Sequence, residues 1–426
     1  MQKLGFKCFN CLIAIFLCGS FLFFGCSSLK KSLDANLNIE PFGNSLHGLV
    51  VVDGNTKKPV YQRLGNTYFT PASNVKIFTF YTGLKLLPER IPTLRYASVN
   101  DTLFVEGTGD PTWMHPYFKD STVIAWLQTQ PVIALHLKNF EGERFGPGWA
   151  WEDYDLYFSP ENNAMPFYGN VVSLINVDSL KVFPAHFKQQ VIEKDTSMAR
   201  DEYSNTFYLG TDQDSLQVPF RTSDGLTHQF LEKLLKRKIT LVNKFPAREK
   251  KMLYGMETDS IYKRMLLKSD NFLAEQLLIT ASSTRSDTLG IQRVITYMLE
   301  NDLRDLDNEP RWVDGSGLSR YNLFTPKSIV QVLQKLYDEV PEQRLFSLFP
   351  MWDSTGTVEK WKDLDTKPFV FAKSGSLGNN YNLSGYLKTK SGKLLIFSFM
   401  NNHFRISTEE VRHQIYQTLK VLRERY

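Results

Sequence analysis

Beyond position 26 the chain has no cysteine: all four, Cys8, Cys11, Cys18 and Cys26, lie in the first 26 of its 426 residues. That excludes a disulfide framework, a thiolate metal site and a cysteine nucleophile from the rest of the chain. Histidine is also scarce. The seven present never fall in an H-x-x-x-H or H-E-x-x-H spacing, which argues against a zinc peptidase. Charge of one sign is missing too, since 50 basic residues face 45 acidic ones for a net +5. Nucleic-acid binding is not indicated, and weak attraction to an anionic polymer is all this excess supports. Internal repeats and low-complexity tracts are absent. What is present is an ordinary globular composition, 42% hydrophobic and 22% charged. The length exceeds one ordinary domain, so two are expected.

The one long apolar run is N-terminal. Lys3 and Lys7 form a basic start, and the stretch from Cys11 to Phe24 is too short to span a bilayer comfortably, the pattern of an export signal over residues 1–25. It ends Phe23-Phe24-Gly25-Cys26-Ser27-Ser28, which resembles a bacterial lipobox with Phe23 where Leu is usual. Cys26 is the expected lipidation site, followed by a polar tether to about residue 45. A plain secretory signal and an uncleaved anchor remain alternatives.

Patterning predicts strands over His47–Asp53 and Pro59–Leu64 around an Asp-Gly turn. A helix opens at Pro71-Ala72-Ser73, with Ile77, Phe80, Leu84 and Leu87 on one face. Residues 91–245 have a different texture, short β-like runs among aromatic and Gly/Pro loops, and are expected to be an insert. Helical signals return at Thr227–Leu235, Asp259–Leu267 and Asn271–Thr280. Three strands, Lys367–Lys373, Asn382–Thr389 and Lys393–Asn401, precede a last helix, Thr408–Arg425. Residues 46–90 and 246–426 would then form one domain, an antiparallel sheet covered by helices.

Three short motifs follow one another: Ser73-Asn74-Val75-Lys76, Ser269-Asp270-Asn271 and Lys373-Ser374-Gly375. Each alone is weak, and matching decoys occur at Ser27, Ser28, Ser98-Val99-Asn100 and Lys390-Ser391-Gly392. Local structure separates them. Ser27 and Ser28 sit at the lipidation junction, Ser98 in a strand pattern and Lys390 in a hairpin turn. Ser73 instead lies at a helix start, where the dipole favours developing negative charge, and Lys76 projects on the same face. A serine activated by a lysine needs that spacing, provided that burial or neighbouring cations favour the neutral amine. A capping serine with a solvated lysine is the plainer alternative. Likewise Ser269-Asp270-Asn271 reads as a helix start, and Lys373-Ser374-Gly375 as the end of a strand whose edge can pair with an extended peptide.

This ordered set is that of penicillin-binding proteins and class A β-lactamases. The chain resembles the low-molecular-mass class C penicillin-binding proteins, the D-Ala-D-Ala carboxypeptidase and endopeptidase family. The resemblance extends to Gly107-Thr108-Gly109-Asp110-Pro111-Thr112, Gly148-Trp149-Ala150-Trp151-Glu152-Asp153 and Asp314-Gly315-Ser316-Gly317-Leu318-Ser319-Arg320. Ser269 follows Lys76 by 193 positions, a gap that suits the family's inserted domain and not a class A β-lactamase. Ser374 stands where threonine is commoner.

The resemblance implies an α/β fold of the penicillin-binding/β-lactamase-like transpeptidase type with a β-rich inserted domain. It also implies a serine-type D-Ala-D-Ala carboxypeptidase acting on peptidoglycan stem peptides, with β-lactams as covalent inhibitors and no cofactor. Ser73 would be the nucleophile, Lys76 its base and Ser269 a proton relay. Asn271 would hold the substrate amide, Lys373 and Ser374 the terminal carboxylate, and the N–H groups of Ser73 and Ser376 the oxyanion. Asp153 matches an acid that reaches a free amine of the stem peptide. A cross-link-cleaving endopeptidase, a non-catalytic peptidoglycan-binding lipoprotein and a β-lactamase are the alternatives. The expected location is the cell envelope, on the exported side.

Overall fold

The structure, a computed structural model, describes residues 28–38, 44–351 and 368–426. The expected export signal and Cys26 lie outside these residues. Five antiparallel strands form the central sheet, in the order Val370–Leu377, Asn380–Lys388, Leu394–Asn402, Leu46–Asp53 and Pro59–Arg63. The two ends of the chain therefore meet in one sheet, Val50 opposite Ser398. Strand alternation sends Leu395, Phe397 and Phe399 to one side and Ile396 and Met400 to the other. Both faces are covered, which is why Leu394–Asn402 is buried along its whole length.

On the first face lie the C-terminal helix Thr408–Arg425 and residues 28–37. The latter correct the expectation of a polar tether. Leu29, Leu33 and Leu37 recur every fourth position, form a helix and are buried against Leu49, Phe397 and Leu419. At roughly 1.5–3 kcal/mol per buried leucine, this docking is worth several kcal/mol before ordering entropy. Scattered polar residues hid three apolar ones at helical spacing.

Helices Val75–Leu86, Asn271–Ser283 and Pro326–Glu339 pack on the other face. The first was expected to bury one stripe. Residues Val75 to Gly83 are instead buried all round, the mark of a central helix. A second, mixed five-stranded sheet runs Thr240–Val242, Val132–His136, Thr102–Gly107, Arg90–Val99 and Lys251–Glu257. Beside it stands a three-stranded sheet of Ser215–Pro219, Val171–Asn176 and Leu180–Phe183. Leu94, Val105, Leu135, Phe167, Leu174, Phe220 and Phe230 belong to an apolar cluster of their own between these strands and helix Asp224–Leu235.

Candidate active site

The turn Ala72–Asn74 runs straight into helix Val75–Leu86, so Ser73 sits at the positive end of a helical stack. Ala72 holds φ +47°, a left-handed conformation uncommon for alanine, and so sets the angle at which the chain enters the helix. Two neighbouring segments fit against this turn only because they carry glycine. A Cβ on Gly375 would stand 2.6 Å from the Pro71 carbonyl oxygen and 2.9 Å from the Ser73 nitrogen, and one on Gly317 would meet the Ala72 carbonyl oxygen at 2.0 Å. Asn74, wholly buried, ties the turn to the sheet. Its Nδ2 donates to the Lys373 carbonyl at 2.8 Å, and its Oδ1 accepts from Ser384 Oγ at 2.7 Å.

Lys76 is wholly buried beneath Ser73. Its Nζ donates at 2.9 Å to Ser73 Oγ, at 2.7 Å to Asn271 Oδ1 and at 2.6 Å to the Ser316 carbonyl. Burial lowers its pKa to about 8 against the opposing pull of Asp314, Glu275 and Asp270. Lys373, also fully buried, donates to Ser269 Oγ at 2.9 Å and to the Ser374 carbonyl at 2.5 Å. Burial first, and the Lys76 charge second, hold its pKa well below the usual lysine value.

The second motif is built differently from its sequence reading. Ser269 does not begin a helix. It closes Thr258–Lys268 at φ +54°, and Asp270 caps the next helix by accepting from Leu273 N–H at 3.1 Å. The sharp junction turns Ser269 toward Lys373 while Asn271 starts the following helix beside Lys76. Asn271 Nδ2 meanwhile donates to the Phe158 carbonyl at 2.9 Å. The third motif does not end its strand either: Lys373, Ser374 and Gly375 sit inside Val370–Leu377, which is the edge of the sheet. Ala372 N–H donates to the Pro350 carbonyl on the outer side, and alternation aims the N–H groups of Ser374 and Ser376 the same way.

A cavity of about 760 Å³ opens over these groups, lined among others by Ser73, Ser269, Asn271, Ser376, Asp153 and Arg320. Asp153 reaches it from the short turn Trp151–Asp153, with its pKa raised by burial and then by Glu152. The structure thus joins Ser73, Lys76 and Asn271 in one hydrogen-bonded group and Lys373 and Ser269 in another. Ser376 and Asp153 line the same cavity as Ser73 and Ser269, and Ser374 lies in the strand between Lys373 and Ser376.

Two carboxylates have no role on sequence grounds: Asp314, present there only as part of a matching segment, and Glu275, not singled out at all. Asp314 gathers the loop after it, accepting from Gly317 N–H, Ser319 N–H, Asn322 Nδ2 and Trp149 Nε1 at 2.6–2.9 Å. Glu275 accepts from Gly315 N–H at 3.1 Å and Ser316 N–H at 2.7 Å, which fixes the carbonyl that receives Lys76. Burial, then Asp314, pushes the Glu275 pKa up to about 8. The available signal was spacing: Glu275 lies one helical turn past Asn271, on the same face.

A model of the D-Ala-D-Ala carboxypeptidase 3 (S13) family matches residues 29–197 and 235–425. The chain belongs to this family. Among curated proteins, this S13 chain is 24% identical to D-alanyl-D-alanine carboxypeptidase DacB of Haemophilus influenzae, over 90% of its own length and 92% of the relative's. It is 21% identical to carboxypeptidase Rv3627c of Mycobacterium tuberculosis, over 83% and 75% of the two chains. Among solved structures, penicillin binding protein 4 (dacB) from H. influenzae superposes with TM-score 0.71 at 21% identity, covering 92% of this chain and 98% of that one. The predatory peptidoglycan endopeptidase Bd3459 of Bdellovibrio bacteriovorus follows the same fold, with TM-score 0.51 at 15% identity over 89% and 93% of the chains. The penicillin-binding fold and the serine-type D-Ala-D-Ala carboxypeptidase class expected from the motifs therefore both hold.

Proposed function

We propose that this S13 enzyme hydrolyses the terminal D-Ala of peptidoglycan stem peptides through an acyl-enzyme on Ser73. The observation that carries this reading is the set of partners around buried Lys76. A neutral amine has two N–H groups and one lone pair. Once the amine is neutral, Asn271 Oδ1 and the Ser316 carbonyl can still take its two donors. The 2.9 Å contact in which the charged amine donates to Ser73 Oγ then reverses, the Ser73 hydroxyl donating to the lone pair. Lys76 then accepts the Ser73 proton as Oγ attacks the D-Ala-D-Ala carbonyl, whose oxyanion sits between the N–H groups of Ser73 and Ser376.

Ser269, held by Lys373, relays the proton taken up by Lys76 to the leaving amine, giving its own and receiving that one. Lys76 is then neutral and Ser269 protonated again, and Lys373 with Ser374 receives the terminal carboxylate. Water then cleaves the ester. No step draws on a cofactor. β-Lactams enter the same cycle and stay attached, in keeping with the β-lactam complex solved for the H. influenzae protein. The second reading, an endopeptidase acting on cross-links, is supported by a cavity roomier than one D-Ala requires. Release of a second stem peptide in place of D-Ala would identify it.

A role for Asp153 in meeting a free amine on the side chain of the stem peptide is supported by its lining the same cavity as Ser73. D-Ala release and penicillin labelling are expected of the unaltered protein. Asp153→Asn should slow cleavage of a peptide bearing that amine about tenfold and leave a minimal D-Ala-D-Ala substrate within about twofold, the difference one charge-assisted hydrogen bond makes. Equal losses on both substrates would return Asp153 to a structural role. A chain that neither labels nor releases D-Ala would overturn the whole assignment.

Two coarser features belong with this function. We propose residues 46–90 and 246–426 as the peptidase domain with 91–245 inserted, supported by the separate apolar cluster of Leu94 to Phe230, although strand Lys251–Glu257 pairs into the second sheet. For an enzyme of the cell envelope we also propose anchoring through lipidated Cys26. No helix among the described residues is long and apolar enough to cross a membrane. Cys26→Ala should leave the protein in the soluble fraction or stall its processing, and unchanged fractionation and mature mass would refute lipidation.

A further inference from the structure

We infer that a second cavity beside the cleft is a subsite for a sugar ring of the glycan strand that carries the stem peptides. The inference rests on the proposed function for the identity of that polymer. The cavity is about 360 Å³ in volume, within the range of small-molecule sites. It lies across the turn Trp151–Asp153 from the main cleft: Asp153 lines one side and Trp151 the other. A polymer held by its peptide in the cleft would therefore have this cavity beside it, across one short turn.

Three features select a pyranose. Trp151 and Tyr203 both line the cavity and are 75% and 76% exposed. Two large aromatics left in water at one mouth are a cost the fold does not need, and their negative ring faces suit the slightly positive C–H face of a sugar. Second, the polar lining mixes signs. Arg144 and Arg221 offer donors, while Glu202 offers an acceptor. A phosphate would call for cations alone and an acyl chain for neither sign, whereas hydroxyl and acetamido groups use both.

Third, the floor is rigid. Glu161, 1% exposed, accepts from Thr222 N–H at 2.8 Å, Thr222 Oγ1 at 2.7 Å and Arg144 Nη1 at 3.2 Å. Arg200, also 1% exposed, donates to the carbonyls of Pro219, Asp201, Ser204 and Tyr154 and stacks on the Tyr154 ring at 5.1 Å. Such a preformed base lets a sugar bind without ordering the protein.

The test is calorimetric titration of the peptide-free disaccharide, N-acetylglucosamine linked to N-acetylmuramic acid, into the full chain, Trp151→Ala and Tyr203→Ala. Both side chains are exposed, so folding should be unaffected, and circular dichroism checks it. The unaltered protein should bind the disaccharide and each variant about tenfold more weakly, a loss typical of an aromatic contact residue. Hydrolysis of a short diacyl peptide ending in D-Ala-D-Ala should stay within about twofold in both variants. No binding by the unaltered protein, or equal binding by all three, overturns the subsite. Failure of the unaltered protein to cleave the short peptide speaks separately against the proposed function, because the titration needs no catalysis.

Discussion

Ser73→Ala should abolish penicillin labelling and D-Ala release together, with activity lower by on the order of 10⁴ or more, as in serine enzymes stripped of their nucleophile. The fold should survive. The Asn74 side chain and the close backbone approach at Gly375 and Gly317 hold the turn, and among the described residues the bond between Ser73 Oγ and Lys76 Nζ is the only side-chain bond lost. The rival nucleophile is Ser269, which stands equally close to its own buried lysine, 2.9 Å from Lys373 Nζ. Position discriminates the two. Ser73 lies at a helix start, where the dipole stabilises an alkoxide and backbone N–H groups face an oxyanion, whereas Ser269 closes helix Thr258–Lys268 at the negative end. Mass mapping of the penicilloyl group decides it. An adduct on Ser269, or labelling that persists in Ser73→Ala, would reverse the roles.

The chemistry was more legible in the sequence than the geometry that holds it. Ser73 and Lys76 could be paired once the three motifs were read together, because i and i+3 on one helix face fix their separation within narrow limits, although that spacing alone suits a capping serine as well. The sheet strands were readable from period-two apolar runs and turn residues, and the last helix was expected over Thr408–Arg425, where the structure has it, with the reciprocal cap of Ser407 and Glu410 seen only in the structure. What could not be read is whatever depends on residues far apart in the chain. Lys373 and Ser269 are 104 positions apart. The Val370–Leu377 edge runs on past Gly375 because Asn380–Lys388 pairs with it along its length. Ser269 looked like a capping residue, and its left-handed conformation comes from two helices meeting at a sharp angle. Glu275 was invisible for a related reason: a mid-helix glutamate is ordinarily solvated, and only the docking of Asp314–Gly317 buries it.

The sharpest test of the base concerns Lys76 itself, because burial makes it costly as well as useful. With its pKa lowered from 10.5 to about 8, the group disfavours the folded state by on the order of 3 kcal/mol at pH 7. The unfolded chain binds more protons only between about pH 8 and 10.5, so this contribution to stability improves as pH rises through that window and is constant below it. Lys76→Met removes the charge at similar volume. It should therefore be inactive and yet no less stable than the unaltered protein at pH 7 in urea unfolding. Lys76→Arg should be inactive as well, since a guanidinium keeps its proton, with a rate lowered by on the order of 10² to 10⁴ or more. In the unaltered enzyme, kcat/KM should rise about tenfold per pH unit below the Lys76 pKa and level off above about 8, because only the neutral amine can take the Ser73 proton. A flat profile from pH 6 to 9, or a Lys76→Met enzyme that loses only a few-fold in rate, would assign the base to another group.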